Sequence, residues 1–274
     1  MKKVIAFLMS AAMVLGLAGC ASTSSSQSQS ASTKSTSNVK TITIGIGNIV
    51  APQFYVDKSG NLVGYDVDVL KEVNKLLPQC QFKFEQMEFS SLLVSLEAGK
   101  IDIADFQLNK TAEREKTYLF PDEEYDISDT VLVVSGDKKN IKGFSDMADM
   151  KIAQMPTSNF YSMVQTYNQQ HTNAAVKLQA IDSLPVADAF QMITDGRIDG
   201  TLCLKSTYTE LQKTMKLNLR VAGSVDKSPV YWILQKNAGA LKKDLDQAVA
   251  TLKKNGTLSK ISVKWYGEDT SSKE

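Results

Sequence analysis

The chain has 274 residues, with 31 Lys and Arg against 30 Asp and Glu, a net charge of +1 and 43% hydrophobic residues. That near-neutral balance argues against nucleic acid or an anionic surface as partner, because both demand a basic patch. A lone histidine, His171, sits in a polar Asn/Gln/Thr stretch and leaves no histidine cluster for metal or general-base chemistry.

Lys2 and Lys3 precede an apolar stretch over residues 4–17, shorter than the ~20 residues a membrane-spanning helix needs. Small residues lead up to Cys20, so residues 1–19 read as a secretory signal. Leu17-Ala18-Gly19-Cys20 resembles a bacterial lipobox, which implies cleavage before Cys20 and acylation of its sulfur. Several acyl chains, at ~0.8 kcal/mol per buried CH2, hold a protein on a bilayer. The expected location is extracytoplasmic, lipid-anchored to the cell membrane. Lys2 and Lys3 leave with the signal, so 31 basic residues become 29 against 30 acidic. Residues 20–38 are the lipidated cysteine and a Ser/Thr-rich tether, too poor in large apolar groups to offset its ordering entropy.

Beyond the tether, strand and helix signals alternate, which predicts an α/β fold with largely parallel sheets. Residues 41–46 alternate as a strand. Val67, Leu70, Val73 and Leu76 recur at helical spacing, and residues 81–86 form the next strand. Ser90 is the expected N-cap of a helix carrying Leu92, Leu93 and Leu96, which Gly99 ends. Asp182 or Ser183 starts a helix with Leu184, Ala187, Phe190 and Ile193 on one face and Gly196 at its end. Leu241, Leu245, Ala248 and Leu252 mark a late helix closed by Gly256, and a short one carries Leu258, Ile261 and Trp265.

Ala98-Gly99-Lys100-Ile101-Asp102 is echoed by Asp195-Gly196-Arg197-Ile198-Asp199, each between a helix and an apolar strand. In both, Gly supplies the left-handed turn and Ile re-enters the sheet, which points to two lobes of related build. Cys80 and Cys203 fall in different predicted lobes, so both are expected as small buried hydrophobes without a disulfide.

Gly60-Asn61-Leu62-Val63-Gly64-Tyr65-Asp66-Val67-Asp68 resembles the G-x-L-x-G-[FY]-D-x-D stretch of extracellular solute-binding proteins for polar amino acids. Phe89-Ser90-Ser91-Leu92-Leu93, Gly99 to Asp102 and Thr111-Ala112-Glu113-Arg114 follow in the family's order and spacing. So do Phe120-Pro121-Asp122 with Tyr125, Thr157-Ser158, Gly196-Arg197-Ile198-Asp199, Asn255-Gly256-Thr257 and Lys264-Trp265-Tyr266. No single motif is specific; the ordered series is.

The resemblance implies a two-lobe, periplasmic-binding-protein type II fold, each lobe a mostly parallel sheet flanked by helices. Lobe one would comprise residues 39–130 plus 226–268 and lobe two residues 131–225, joined by two hinge strands, with 269–274 a disordered tail. It also implies a monomer that captures an amino acid, polar or cystine-like, and passes it to an ABC permease with a cytoplasmic ATPase. No cofactor, metal or nucleic acid is expected.

A buried amino acid needs a partner for its carboxylate and its ammonium. In the family's register Arg114 clamps the carboxylate, its planar fork giving two parallel hydrogen bonds. Thr157 and Ser158, ahead of a helix, add a second carboxylate contact through free N–H groups. Gln107 and Asn109 hold strand-end positions that meet the ammonium or the side chain, and Phe89 covers the aliphatic stem. Gln53, with Phe54 beside it, takes the position of a ligand-covering aromatic. Three positions depart from the pattern: the covering aromatic falls on Gln53, the second-lobe aspartate that pairs with the ammonium on Leu204, and the first-strand aspartate on Gly47. Either Asp105 or neutral acceptors replace the lost acid, or the ligand is another small carboxylate.

Catalytic signals are weak. The chain lacks a G-x-S-x-G elbow and a Walker loop, and Gly45-Ile46-Gly47 is only the front of a dinucleotide fingerprint. A binding protein rather than an enzyme is expected, with a cyclic-acid dehydratase on the same fold as the catalytic alternative. A signalling sensor is the third class, and it would ordinarily carry a membrane helix and cytoplasmic domain.

Overall fold

The computed structural model describes residues 39–271; the signal, Cys20 and the tether lie outside the described residues. Strand β1 (Lys40–Ile46) alternates as its sequence requires, with Ile42, Ile44 and Ile46 buried. Short strands β2 (Ile49–Val50), β3 (Phe54–Val56) and β4 (Leu62–Val63) form a small antiparallel sheet that leads into helix α1 (Tyr65–Leu76). Gly64 precedes that helix at φ 137°, where a Cβ would stand 2.1 Å from the carbonyl oxygen of Gln53. Only glycine permits this approach. It lets the carbonyls of Pro52 and Gln53 accept from the N–H groups of Tyr65 and Asp66 at 3.0 and 3.1 Å, satisfying helix-start donors that have no partner within the helix. The Gln53 loop is thereby fixed to the start of α1.

Strand β5 (Cys80–Gln86) pairs parallel with one side of β1, and β6 (Ile103–Leu108) with the other after helix α2 (Phe89–Glu97). The α2 cap is Glu88 rather than Ser90, which lies inside the first turn. The helix begins two residues early, and Phe89 in its first turn packs inward against Phe106, their ring centroids 5.1 Å apart. Thr111 caps α3 (Ala112–Thr117), its Oγ1 accepting from the Arg114 N–H at 3.2 Å. Strand β7 (Tyr118–Leu119) follows.

Strand β8 (Asp126–Ser135) carries the chain into the second lobe. There β9 (Lys151–Gln154), α4 (Asn159–Gln170), β10 (Lys177–Ala180), α5 (Val186–Thr194), β11 (Gly200–Leu204) and α6 (Lys205–Met215) follow in order. Strand β12 (Leu219–Gln235) runs back antiparallel to β8, from Leu219 opposite Ser135 to Val230 opposite Asp126. Helices α7 (Gly239–Lys254) and α8 (Thr257–Tyr266) return to the first lobe. Helix α5 starts after Pro185, not at Asp182 or Ser183, because the ring fixes the backbone just ahead of the first turn.

The strand order is β10-β9-β11-β8-β12-β6-β1-β5, with β7 on β12. Both halves of this sheet are covered on both faces. In lobe one, Trp232, Tyr65 and Leu245 lie in a core under α1, α7 and α8, while Leu92, Leu96 and Ile233 fill the opposite face. In lobe two, Phe190, Ile193 and Cys203 form one layer and Ile152, Val164 and Leu202 the other. Each fully buried aliphatic side chain stabilises by ~1.5–3 kcal/mol. Gly99 and Gly196 end α2 and α5 at φ 68° and 69°, so the two echoed turns share one backbone conformation.

Among the described residues Cys80 and Cys203 are both free; Cys203 is buried, but Cys80, at the start of β5, is only half-buried. The expected disordered tail is also corrected in part. Thr270 receives the Ile127 N–H on its carbonyl at 2.9 Å and the Ser262 hydroxyl lies 2.9 Å from its own, so the segment after α8 is strapped to the foot of β8.

Candidate functional site

The end of β6 organises the lobe-one side. Gln107 adopts φ 53°, a left-handed backbone uncommon outside glycine. Its amide Nε2 donates to Asp66 Oδ1 at 2.7 Å, so the helix start that holds Gln53 also holds Gln107. Two residues on, Asn109 Nδ2 donates to the Pro229 carbonyl at 3.0 Å, and its own carbonyl accepts from Arg114 Nη1 at 3.0 Å. Arg114 is half-buried and, among the described residues, makes no ion pair. Burial lowers its pKa, while Tyr118 and Glu113 oppose that shift. The guanidinium is thus oriented by a backbone carbonyl and keeps donors free.

Phe89 and Phe54 meet through Phe106, with centroid separations of 5.1 and 4.9 Å. Phe54 is fully buried, a wall of the core rather than a surface for ligand; it supports Phe106 from behind. This packing explains the departure at Gly47. A Cβ there would stand 2.5 Å from Phe54 Cε2 and 2.6 Å from Phe106 Cε2, so no aspartate fits.

On the lobe-two side Ser158 caps α4, its Oγ accepting from the Tyr161 N–H at 3.1 Å and donating to the Met155 carbonyl at 2.8 Å. Thr157 beside it is exposed. Neither is hydrogen-bonded to the lobe-one group among the described residues. Leu204 is the residue preceding α6, and Ser206 lies in that helix's first turn. Gln53, almost wholly buried, donates from Nε2 to Ser206 Oγ at 2.6 Å across the lobe boundary. Gln53, Gln107, Asp126, Ser128, Leu204 and Ser206 all line a cavity of about 20 Å³. That space holds one water-sized group.

Asp126 in the lining belongs, with Asp66 and Asp105, to a set of acids that spacing in the sequence does not reveal as a set. Asp66, Asp105 and Asp126 are all buried. The Tyr125 hydroxyl stands 2.9 Å from Asp105 Oδ1 and 3.2 Å from Asp66 Oδ2. Burial drives both pKa values of this pair upward, and each carboxyl acts on the other. Burial likewise lifts Asp126 to about 7, against hydrogen bonds from Thr270, Tyr266 and the Ile127 N–H. The buried Trp232 Nε1 has no hydrogen-bond partner among the described residues.

Comparison with known proteins places this geometry. A family model, that of bacterial extracellular solute-binding proteins, family 3, matches residues 42–268. The chain belongs to that family. It is 32% identical over 236 residues to the L-cystine-binding protein TcyK of Bacillus subtilis (strain 168), covering 86% of this chain and 87% of the relative. Among solved structures, a putative L-cystine ABC transporter protein from Listeria monocytogenes is 35% identical with a TM-score of 0.73, covering 85% of this chain and 99% of that one. The probable amino-acid ABC transporter extracellular-binding protein ytmK of Bacillus subtilis is 31% identical with a TM-score of 0.77, covering 84% and 98%. The two-lobe architecture of this family 3 chain is therefore that of its structural relatives, and the cavity between Gln53 and Leu204 lies at its lobe boundary.

Proposed function

We propose that this protein is the substrate-binding component of an amino-acid ABC importer and that its ligand is of the L-cystine class. The observation that carries the reading is Arg114: half-buried, oriented by the Asn109 carbonyl, and without a counter-anion among the described residues. A half-buried guanidinium with free donors fits an incoming carboxylate, and a bidentate contact uses its fork fully. Relatives that bind L-cystine align over most of the chain, which supports that ligand class over other small carboxylates.

In this reading Asn109 and Gln107 position the ligand from lobe one, Phe89 covers its stem, and the N-terminus of α4 at Thr157 and Ser158 approaches the carboxylate when the lobes close. The protein works as a monomer, binds without chemical turnover, and hands its ligand to a membrane permease. Cys20, with its lipid, holds it near that permease outside the cytoplasm.

Thermal melting against the twenty amino acids, L-cystine and reduced and oxidised glutathione tests the reading. L-cystine at a hundredfold over Kd should add ~2.7 kcal/mol of stability and be recovered unchanged. A melting temperature unmoved by every amino acid, or a chemically altered ligand, would overturn it.

A further inference from the structure

Lys205 opens α6 on the lobe-two wall of the cavity, and Glu268 lines the same cavity from the segment after α8. Their side chains meet at 2.8 Å across the lobe boundary, and among the described residues neither has another ion-pair or side-chain hydrogen-bond partner. With side-chain exposures of 40% and 49%, the pair stands where the cavity meets solvent. An ion pair so exposed is screened and costs little to part.

The other acids of the lining are already engaged. Asp126 accepts from Thr270 Oγ1, the Tyr266 hydroxyl and the Ile127 N–H, and Asp129 accepts from Ser224 Oγ. Lys205 is the single cation among the lining residues, and Leu204 stands before it where the family pattern has an acid. Glu268 is fixed at its backbone, because Gly267 ends α8 at φ 79° and the buried Ser262 Oγ donates to the Glu268 carbonyl at 2.8 Å. Pro229, which accepts from Asn109, is paired with Ile127, and Ile127 lines the cavity. The Arg114 group thus rests on β12 and the cavity on β8, two strands ~5 Å apart. A ligand a few bonds longer than the head clamped by Arg114 spans that spacing.

We propose that Lys205 and Glu268 bind a second α-amino-acid head, Lys205 taking its carboxylate and Glu268 its ammonium, and that they select ligands with two such heads. This rests on the amino-acid reading above and names the residues that make the site specific for a dimeric amino acid. The two side chains satisfy each other in the structure. A zwitterionic head entering between them replaces one ion pair by two and leaves no charge without a partner. A head lacking either group parts the pair and strands one of its members, so the site discriminates against it. Because each lobe supplies one partner, the second head also bridges the lobes.

Calorimetric titration with L-cystine and two mixed disulfides of L-cysteine tests it. The disulfide with cysteamine lacks one carboxylate of L-cystine, and the disulfide with 3-mercaptopropionate lacks one ammonium. The wild type should bind L-cystine at least about fivefold more tightly than either. Lys205→Met should erase the preference over the cysteamine disulfide and keep the preference over the mercaptopropionate disulfide. Glu268→Gln should do the reverse. Both side chains are exposed, so both variants should fold, which circular dichroism verifies. If the pair only ties the lobes together, each variant shifts all three affinities alike, and that result would overturn the proposal while leaving the amino-acid reading standing. Equal wild-type affinities, or a tightest ligand with a single head, would do the same. A protein that binds no amino acid fails the parent reading, and this proposal falls with it.

Discussion

Gln53 Nε2 and Ser206 Oγ lie 2.6 Å apart although 153 residues separate them in the chain. One side chain belongs to the loop fixed to α1, the other to the first turn of α6, so their bond joins the lobes beside the cavity. Lys205 and Glu268 also join them at 2.8 Å, but that pair is substantially exposed and screened. The buried bond is the stronger tie. Ser206→Ala removes the acceptor and leaves a buried amide N–H unpaired. We expect a loss of ~1–3 kcal/mol, roughly 5- to 150-fold in Kd for L-cystine, read by calorimetry. Unchanged affinity would show that the bond takes no part in the bound state.

The buried acids set a pH dependence of opposite sign to that of a salt-bridged carboxylate. Asp126 is raised from 3.8 to about 7, and Asp66 and Asp105 are raised as a pair, in each case chiefly by burial. The folded protein therefore keeps protons that the unfolded chain releases between pH ~4 and pH ~7. Stability is fullest below pH ~4 on this account and falls as pH rises through that window. Asp199 is lowered despite its partial burial, because Lys138 and the Lys151 N–H hold its charged form, so it titrates below the window. Melting temperatures should decline from pH 5 to pH 7.5, and Asp126→Asn should flatten the decline. A rise with pH across that interval would refute the assignment.

Gly47 carries a steric prediction. The Phe54 and Phe106 rings occupy the volume of its absent Cβ, and Phe54 is fully buried with nowhere to move. Gly47→Ala should destabilise by ~1–3 kcal/mol through overpacking, seen as a lower urea midpoint with unchanged m. Gly47→Asp, which restores the acid of the family pattern, should cost more, because the carboxylate adds burial of a charge. A Gly47→Ala protein as stable as wild type would mean the rings yield freely.

The elements were legible where the chain signals locally. The Ile42-Ile44-Ile46 alternation, the Leu241-Leu245-Ala248-Leu252 face and the glycines at 99 and 196 each carry their own period or backbone demand. The motif register likewise led to Arg114 and Asn109, which the structure joins at 3.0 Å. The Asp66-Asp105-Asp126 group was not legible as a group, because it is assembled from a helix start, a strand interior and the foot of β8. Its members sit in three separate patterns that each read as ordinary. Asp66 appeared only as a family letter, and Asp105 only as one candidate substitute. Phe54 was misplaced for a related reason: Gln53 beside it lines the cavity, yet strand alternation turns the Phe54 ring inward onto Phe106.

Arg114 is the most exacting test of the site. Its Nη1 is held at 3.0 Å by the Asn109 carbonyl, and α3 is anchored behind it by Thr111. The remaining donors meet no anion among the described residues, so a ligand carboxylate would be their only charged partner. Arg114→Lys keeps the charge but loses the planar fork, and Arg114→Ala also strands the carboxylate. Breaking a buried hydrogen-bonded charge pair from one side costs ~2–5 kcal/mol, about 30-fold to several thousandfold in Kd. The alanine variant should reach the upper part of that range and the lysine variant the lower. Folding should survive both, because Arg114 lies outside the buried cores of lobe one and circular dichroism can verify it. A surface arginine would cost less than ~1 kcal/mol and leave binding intact. If Arg114→Ala binds L-cystine within a few-fold of wild type, the carboxylate is held elsewhere, and the assignment of this half-buried guanidinium as the clamp is wrong.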